Sequence, residues 1–225
     1  MPHLAFDVYG TLIDHHGTYE WFARRGIAQA RELLTQWREK QLEYTFRRAL
    51  MRTYADFPTC TREALLFVCA RHGIVLTAAD LDELLALYRQ LPAYPDVAAG
   101  LTELQRQGVP CWAFSNGRGD DVQALLDQAG LAPLITGVVS LLDIRTYKPD
   151  PAAYAYFRQR AATGEDPVWL ISSNPFDLIG GKATGMRTIW VRRQATALFD
   201  PWGERPDAEV RDIGGISAVL DAMSG

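Results

Sequence analysis

Apolar residues gather into short blocks of strand length at 4–8, 111–114, 137–141, 168–171 and 188–191, each bounded by turn-forming residues. Between most of these blocks the apolar positions switch to helical spacing. Val97, Leu101 and Leu104 run up to Gly108, and Val122, Leu125, Leu126 and Ala129 run up to Gly130. A glycine just after such a stripe reads as a left-handed helix stop. Strand and helix in alternation predict an α/β fold, a doubly wound parallel sheet with helices on its faces.

The alternation lapses between residues 19 and 93. Helical spacing continues there through Leu33, Leu34 and Trp37, then Leu42, Phe46 and Leu50, then Leu65, Leu66 and Cys69, then Leu81, Leu84, Leu85 and Tyr88, without a strand block. Thr77 and Asp80 have the spacing of a capping box opening the last stripe. The expected organisation is a core domain of residues 1–16 and 94–225, interrupted after its first strand by a helical cap subdomain of residues 17–93.

Composition narrows this picture. A chain of 225 residues, 48% of them hydrophobic, can bury a large core, and its net charge of -4 argues against general nucleic-acid binding. Cys60, Cys69 and Cys111 are odd in number and spaced neither for zinc nor for a disulfide framework, so buried thiols in a reducing cytoplasm are expected. The N-terminus lacks the basic stretch and apolar run of a secretory signal. No apolar run approaches the roughly 18 to 20 residues of a membrane span, so no membrane partner is expected.

Ligands of an open parallel sheet bind beyond the carboxyl ends of its strands. Four stretches lie there: Asp7-Val8-Tyr9-Gly10-Thr11, Ser115-Asn116-Gly117, Tyr147-Lys148-Pro149-Asp150, and Ser172-Ser173-Asn174-Pro175-Phe176-Asp177. Each alone is an ordinary turn or cap. In this order and spacing they resemble the motifs of the haloacid dehalogenase superfamily, over essentially the whole chain, which implies a Rossmann-like core carrying a helical cap. Phosphatases of that superfamily have a second aspartate two residues after the nucleophile, and further acids in the fourth motif, to hold magnesium. Here Tyr9 takes the first of those positions, and the fourth motif offers Ser172, Asn174 and a single Asp177. That is a poor set for an ion that prefers several hard oxygen ligands. The departure resembles the type II L-2-haloacid dehalogenases, as does Trp37-Arg38-Glu39-Lys40-Gln41-Leu42-Glu43-Tyr44, which places Arg38 where that family contacts the halide.

The resemblance implies hydrolysis of small (S)-2-haloalkanoic acids to (R)-2-hydroxyalkanoic acids and halide, through an ester on Asp7, with no metal or other cofactor. Asp7 would be the nucleophile, with Lys148 keeping it charged and in place. Thr11, Tyr154, Ser172 and Asn174 would position the nucleophile, the lysine and the attacking water. Asp177 would orient Lys148 or help activate that water. Arg38 brings a forked, permanently charged guanidinium to the halide or to an anionic substrate. Ser115 and the backbone amides near Val8, Tyr9 and Asn116 fall to the substrate carboxylate, and Tyr9, Leu42, Phe57 and Phe176 to an apolar wall. Two rivals stand beside this reading: a superfamily phosphatase with a degraded metal site, and a non-catalytic carboxylate-binding homologue. His15 and His16 are adjacent rather than four apart, so a solvated or hinge role is expected of them. The apolar positions around residues 33–54 point in several directions, which predicts a homodimer through the cap. The natural substrate and the preferred halogen stay open.

Overall fold

In the computed structural model, which describes residues 1–224, the five apolar blocks become strands β1 (His3–Asp7), β2 (Cys111–Ser115), β3 (Gly137–Ser140), β4 (Val168–Ser172) and β5 (Arg187–Val191). A further strand, β6 (Ala208–Val210), extends the edge; the apolar pattern does not predict it. Of its three residues only Val210 is buried, which is too short a segment to show a two-residue period. All pairings are parallel, in the order β3-β2-β1-β4-β5-β6. The winding direction reverses between β1 and β4. A crevice opens beyond the carboxyl ends of strands at such a reversal. The register sets Asp7 beside Phe114 and Phe6 beside Ile171, so the segments leaving β1, β2 and β4 emerge together.

The helices are α1 (Tyr19–Arg24), α2 (Ala30–Met51), α3 (Phe57–Arg71), α4 (Ala78–Tyr88), α5 (Val97–Arg106), α6 (Gly119–Gln128), α7 (Pro151–Arg160), α8 (Pro175–Ala183) and α9 (Ile216–Ser224). Successive strand residues serve opposite faces. Leu4 and Phe6 pack with Leu101 of α5, Leu125 of α6 and Leu220 of α9, whereas Ala5 packs with Phe157 of α7 and Leu178 of α8.

Helices α1 to α4 are all inserted between β1 and β2. The chain enters and leaves this insertion side by side: Asp14 N donates to Pro92 O at 2.8 Å, Tyr94 N donates to Leu12 O at 3.0 Å, and Ile13 bridges Ala93 antiparallel. The stripes at 33–37 and 42–50 belong to one helix, α2, of 22 residues. Its buried stripe is Ala30, Leu33, Leu34, Trp37, Gln41 and Thr45. Arg38 and Phe46 lie on the neighbouring stripe, four-residue spacing being one helical turn, and they reach the core at Tyr9 and Phe176. Thr77 and Asp80 form the reciprocal capping box at the start of α4. One apolar cluster runs unbroken from β1 into the insertion. The three cysteines are buried and free, and burial pushes the Cys69 thiol up to about 11 and that of Cys111 to about 12, so both stay protonated. No helix among the described residues is long and apolar enough to cross a membrane.

Candidate active site

Asp7 ends β1, where the backbone must turn away from the sheet without blocking its carboxylate. Gly10 makes that turn with a φ of +90°, a region L side chains rarely adopt. A Cβ at Gly10 would also come within 3.3 Å of His15 Nδ1 and 3.4 Å of Ser173 Oγ. The loop therefore closes tightly, and its O–H and N–H groups return toward Asp7. Thr11 Oγ1 donates to Asp7 Oδ2 at 2.9 Å and accepts from Ser173 N at 2.8 Å, while Ser173 Oγ donates to Gly10 O at 2.7 Å. Asn174 Nδ2 gives Asp7 Oδ2 a second hydrogen bond at 2.8 Å.

The other carboxylate oxygen, Oδ1, accepts from Lys148 Nζ at 3.2 Å. That ammonium also donates to Asp177 Oδ2 at 2.9 Å and to Phe114 O at 2.8 Å, and it lies 4.1 Å from the centre of the Phe114 ring. An ammonium has three N–H groups, so all of them are engaged. Lys148 is 1% exposed and Asp177 fully buried; neither tolerates burial unpaired. Burial raises the Asp177 carboxyl above the usual carboxylate range, and the Lys148 ammonium works against that shift. Tyr154 donates to Asp177 Oδ1 and to Asp177 O, both at 3.0 Å, so the acid is held from two sides.

The loop after β2 completes the floor. Asn116 Oδ1 accepts from Lys148 N at 2.9 Å, and Ser115 Oγ accepts from Gly117 N at 3.0 Å. Gly117 leaves room for the Tyr9 ring, since a Cβ there would lie 2.9 Å from Tyr9 Cε2. Tyr9 is buried against Phe57 and Tyr88, with ring centroids at 5.2 and 5.7 Å, and burial pushes its phenol far above the usual range.

Above this floor, Arg38 donates from Nη2 to Tyr9 O at 3.2 Å and from Nη1 to Gln41 Oε1 at 2.7 Å. A cavity of about 330 Å³ opens beside Tyr9, Phe57 and Tyr88, with Arg89, Arg118 and Asp121 at its wall. Its volume is at the small end of the range for ligand pockets, about 300 to 1,000 Å³. Phe176 lies elsewhere: it packs on Phe46, centroids 4.9 Å apart, and lines a separate groove of about 1200 Å³ between α2 and α8. Of the expected apolar wall, Tyr9 and Phe57 meet directly. Leu42 is half-buried on α2, and Phe176 faces the groove.

Several contacts escape a reading of the sequence. Ser173, not Ser172, bonds to Thr11, while Ser172 Oγ accepts from Asn174 N at 3.0 Å. Arg193 holds Thr11 from behind: Nε and Nη2 donate to Thr11 O at 3.2 and 2.6 Å, and Nη1 pairs with Asp96 Oδ1 at 2.6 Å. Nothing local marks an arginine in the segment after β5 for this contact. His16 is bonded to Asp14 through its backbone N and Nδ1, on the segment that enters the insertion. His15 is half-buried, and its Nδ1 lies without a partner under the turn at Gly10.

Compared with known proteins, residues 1–185 match the family described as haloacid dehalogenase-like hydrolase. The chain is 33% identical over 226 residues to the (S)-2-haloacid dehalogenase of Pseudomonas sp. (strain YL), covering 99% of this chain and 95% of that one. It is also 33% identical over 217 residues to (S)-2-haloacid dehalogenase H-109 of Pseudomonas putida, with 96% of each covered. The L-2-haloacid dehalogenase from Xanthobacter autotrophicus, solved with chloropropionic acid covalently bound, superimposes with a TM-score of 0.91 at 30% identity over 98% of both chains.

Proposed function

The chain belongs to the haloacid dehalogenase-like hydrolase family, and from that premise we propose that it hydrolyses small (S)-2-haloalkanoic acids to (R)-2-hydroxyalkanoic acids and halide through an ester on Asp7. The observation that carries this is the unequal bonding of the Asp7 carboxylate. Oδ2 accepts two hydrogen bonds, from Thr11 and Asn174, whereas Oδ1 accepts one, from Lys148. Each oxygen has two lone pairs, so Oδ1 keeps one for attack. In-line displacement at the halogen-bearing carbon inverts it, and the electron pair of the carbon–halogen bond leaves with the halide. Oδ2 then becomes the ester carbonyl oxygen. When water adds at Cγ, Thr11 and Asn174 already point at the oxygen where charge develops.

Lys148 fixes the nucleophile, Ser172 and Tyr154 hold Asn174 and Asp177, and Asp177 orients Lys148. Ser115, with the amides of Val8, Tyr9 and Asn116, receives the substrate carboxylate, and Arg38 receives the halide. Tyr9, Leu42 and Phe57 exclude water from the reacting centre, and Phe176, packed on Phe46 in the separate groove, has no part in that wall. Residues 1–16 and 94–225 serve as the core and 17–93 as the cap.

A magnesium ion, which phosphatases of the superfamily hold here, does not fit these side chains. Tyr9 presents a phenol held protonated by burial, Asp177 is turned to Lys148 and Tyr154, and the Lys148 ammonium stands against Asp7. The proposed reaction therefore runs on protein groups alone. We also propose a homodimer through the cap, with Leu50 and Met51 of α2, 87% and 62% exposed, in the contact. Halide release from (S)-2-chloropropionate tests the function: Asp7→Asn should abolish it, and added chelator should leave the wild-type rate unchanged. Activity that dies with chelator and returns with magnesium would overturn the metal-free reading. Light scattering after size exclusion tests the dimer.

A further inference from the structure

The helical insertion leaves and rejoins the core through two segments that lie side by side, and one arginine from a third segment fastens both. Thr11 stands on the outgoing segment, between Asp7 and Asp14, whose N–H crosses to Pro92 O. On the returning segment, Tyr94 N donates to Leu12 O at 3.0 Å, and Asp96 follows. Arg193, just beyond β5, spans the two. Its Nε and Nη2 give Thr11 O hydrogen bonds at 3.2 and 2.6 Å, which fill both lone pairs of that carbonyl. Its Nη1 pairs with Asp96 Oδ1 at 2.6 Å, and the guanidinium carbon lies 4.2 Å from the centre of the Tyr94 ring.

Asp96 is spent on this contact rather than on its own helix. It occupies the N-cap position of α5, where an aspartate normally accepts from the first-turn amides, yet it makes no side-chain cap bond. Instead Oδ1 meets Arg193, and Oδ2 accepts from Ile213 N at 2.8 Å, which ties the pair to the turn ahead of α9. The side chains of Arg193 and Asp96 are 10% and 24% exposed, so the charges are little screened. With its carbonyl held from behind, Thr11 presents its hydroxyl forward, donating to Asp7 Oδ2 at 2.9 Å and accepting from Ser173 N at 2.8 Å.

We propose that Arg193, Asp96 and Tyr94 are positioning residues that register the hinge of the insertion against the nucleophile loop, so that the seat of the cap on the core sets the Thr11 hydroxyl on Asp7. The kinetic consequence rests on the dehalogenase reading; the clamp itself does not. None of the three touches the reacting atoms, and they act through Thr11. Displacing a group at a reacting centre by about 1 Å can cost about 100-fold in rate, so a hinge that slips by a fraction of that distance is felt at Asp7. A plain structural brace would differ: its loss lowers stability and leaves turnover intact.

The test is a double-mutant cycle on kcat and KM for (S)-2-chloropropionate, with Arg193→Lys and Asp96→Ala each made in wild type and in Thr11→Val. Hydrogen exchange is followed in peptides covering residues 8–16 and 90–97. Each single variant should lower kcat about 10-fold, the equivalent of one strong hydrogen bond, with KM changed less than about 2-fold. In Thr11→Val, which has no hydroxyl to misplace, either change should cost less than about 2-fold more. Asp96→Asn keeps the shape and an acceptor; it should recover part of the loss and serves if the alanine variant does not fold. Exchange in Arg193→Lys should quicken in both hinge segments together, at Asp14 N and Tyr94 N, which bond across the hinge. Full additivity with Thr11→Val, or a lowered melting temperature with kcat intact, would overturn the proposal. So would exchange that quickens in one segment alone or in neither. Absence of halide release from any haloacid would overturn the dehalogenase reading instead, and the exchange measurement would still decide the clamp.

Discussion

Replacing Lys148 with methionine keeps much of the side-chain volume and removes the one cation between two buried carboxylates. Asp177, fully buried, loses a partner at 2.9 Å, and Asp7, whose side chain is 11% exposed, loses one at 3.2 Å. Removing one member of a buried ionic cluster costs about 3 to 5 kcal/mol, because the remaining charge stays desolvated. At about 2 to 4 °C per kcal/mol for a chain of this size, Lys148→Met should melt about 6 to 20 °C below wild type near pH 8. The sign of the pH dependence follows from Asp177. Burial already raises its carboxyl, and without Lys148 it rises further. An acid whose folded pKa exceeds its unfolded value contributes stability that is full below the unfolded pKa and lost as pH climbs through the folded one. The deficit of Lys148→Met should therefore be smallest near pH 5 and widen toward pH 8. Urea denaturation at several pH values measures it. Adding Asp177→Asn to Lys148→Met removes the stranded charge and should restore about 1 to 3 kcal/mol, a coupling between neighbours. A deficit independent of pH, or a double variant less stable than the single one, would refute the electrostatic account.

Thr11→Val and Asn174→Ala each remove one donor to Asp7 Oδ2. Loss of such a donor lowers kcat by about 100- to 1,000-fold; mass spectrometry of acid-quenched enzyme should show the ester accumulating, and a change in KM alone would contradict the assignment. Arg193→Lys cannot bond Thr11 O twice while reaching Asp96. It should lower kcat about 10-fold, the equivalent of one strong hydrogen bond, and reduced stability with kcat intact would make Arg193 structural only. His15, neutral down to about pH 3, leaves the unfolded chain binding a proton that the folded one refuses. Stability should fall as pH drops from about 6.5 toward 3, and His15→Gln should flatten that slope in acid denaturation.

The parallel sheet, the helical insertion and four loops at strand ends were legible in the sequence, because apolar period and turn residues are local properties. The same holds for the pairing of Asp7 with Tyr9 rather than a second acid: both lie within one motif. β6 was not legible, since three residues at a sheet edge carry no period of their own. Arg193 and Ser173 were not either, because their meaning is a contact with Thr11 across 182 and 162 residues of chain. The division of labour on α2 was likewise decided by packing: a stripe pattern shows that a helix has a buried face, not what its next face meets. Phe176 turned to the groove and His15 turned inward for the same reason. Sequence alone determined which chemistry the chain carries at its strand ends. Only the tertiary structure decided which oxygen of Asp7 stays free, because that depends on neighbours that arrive from distant segments.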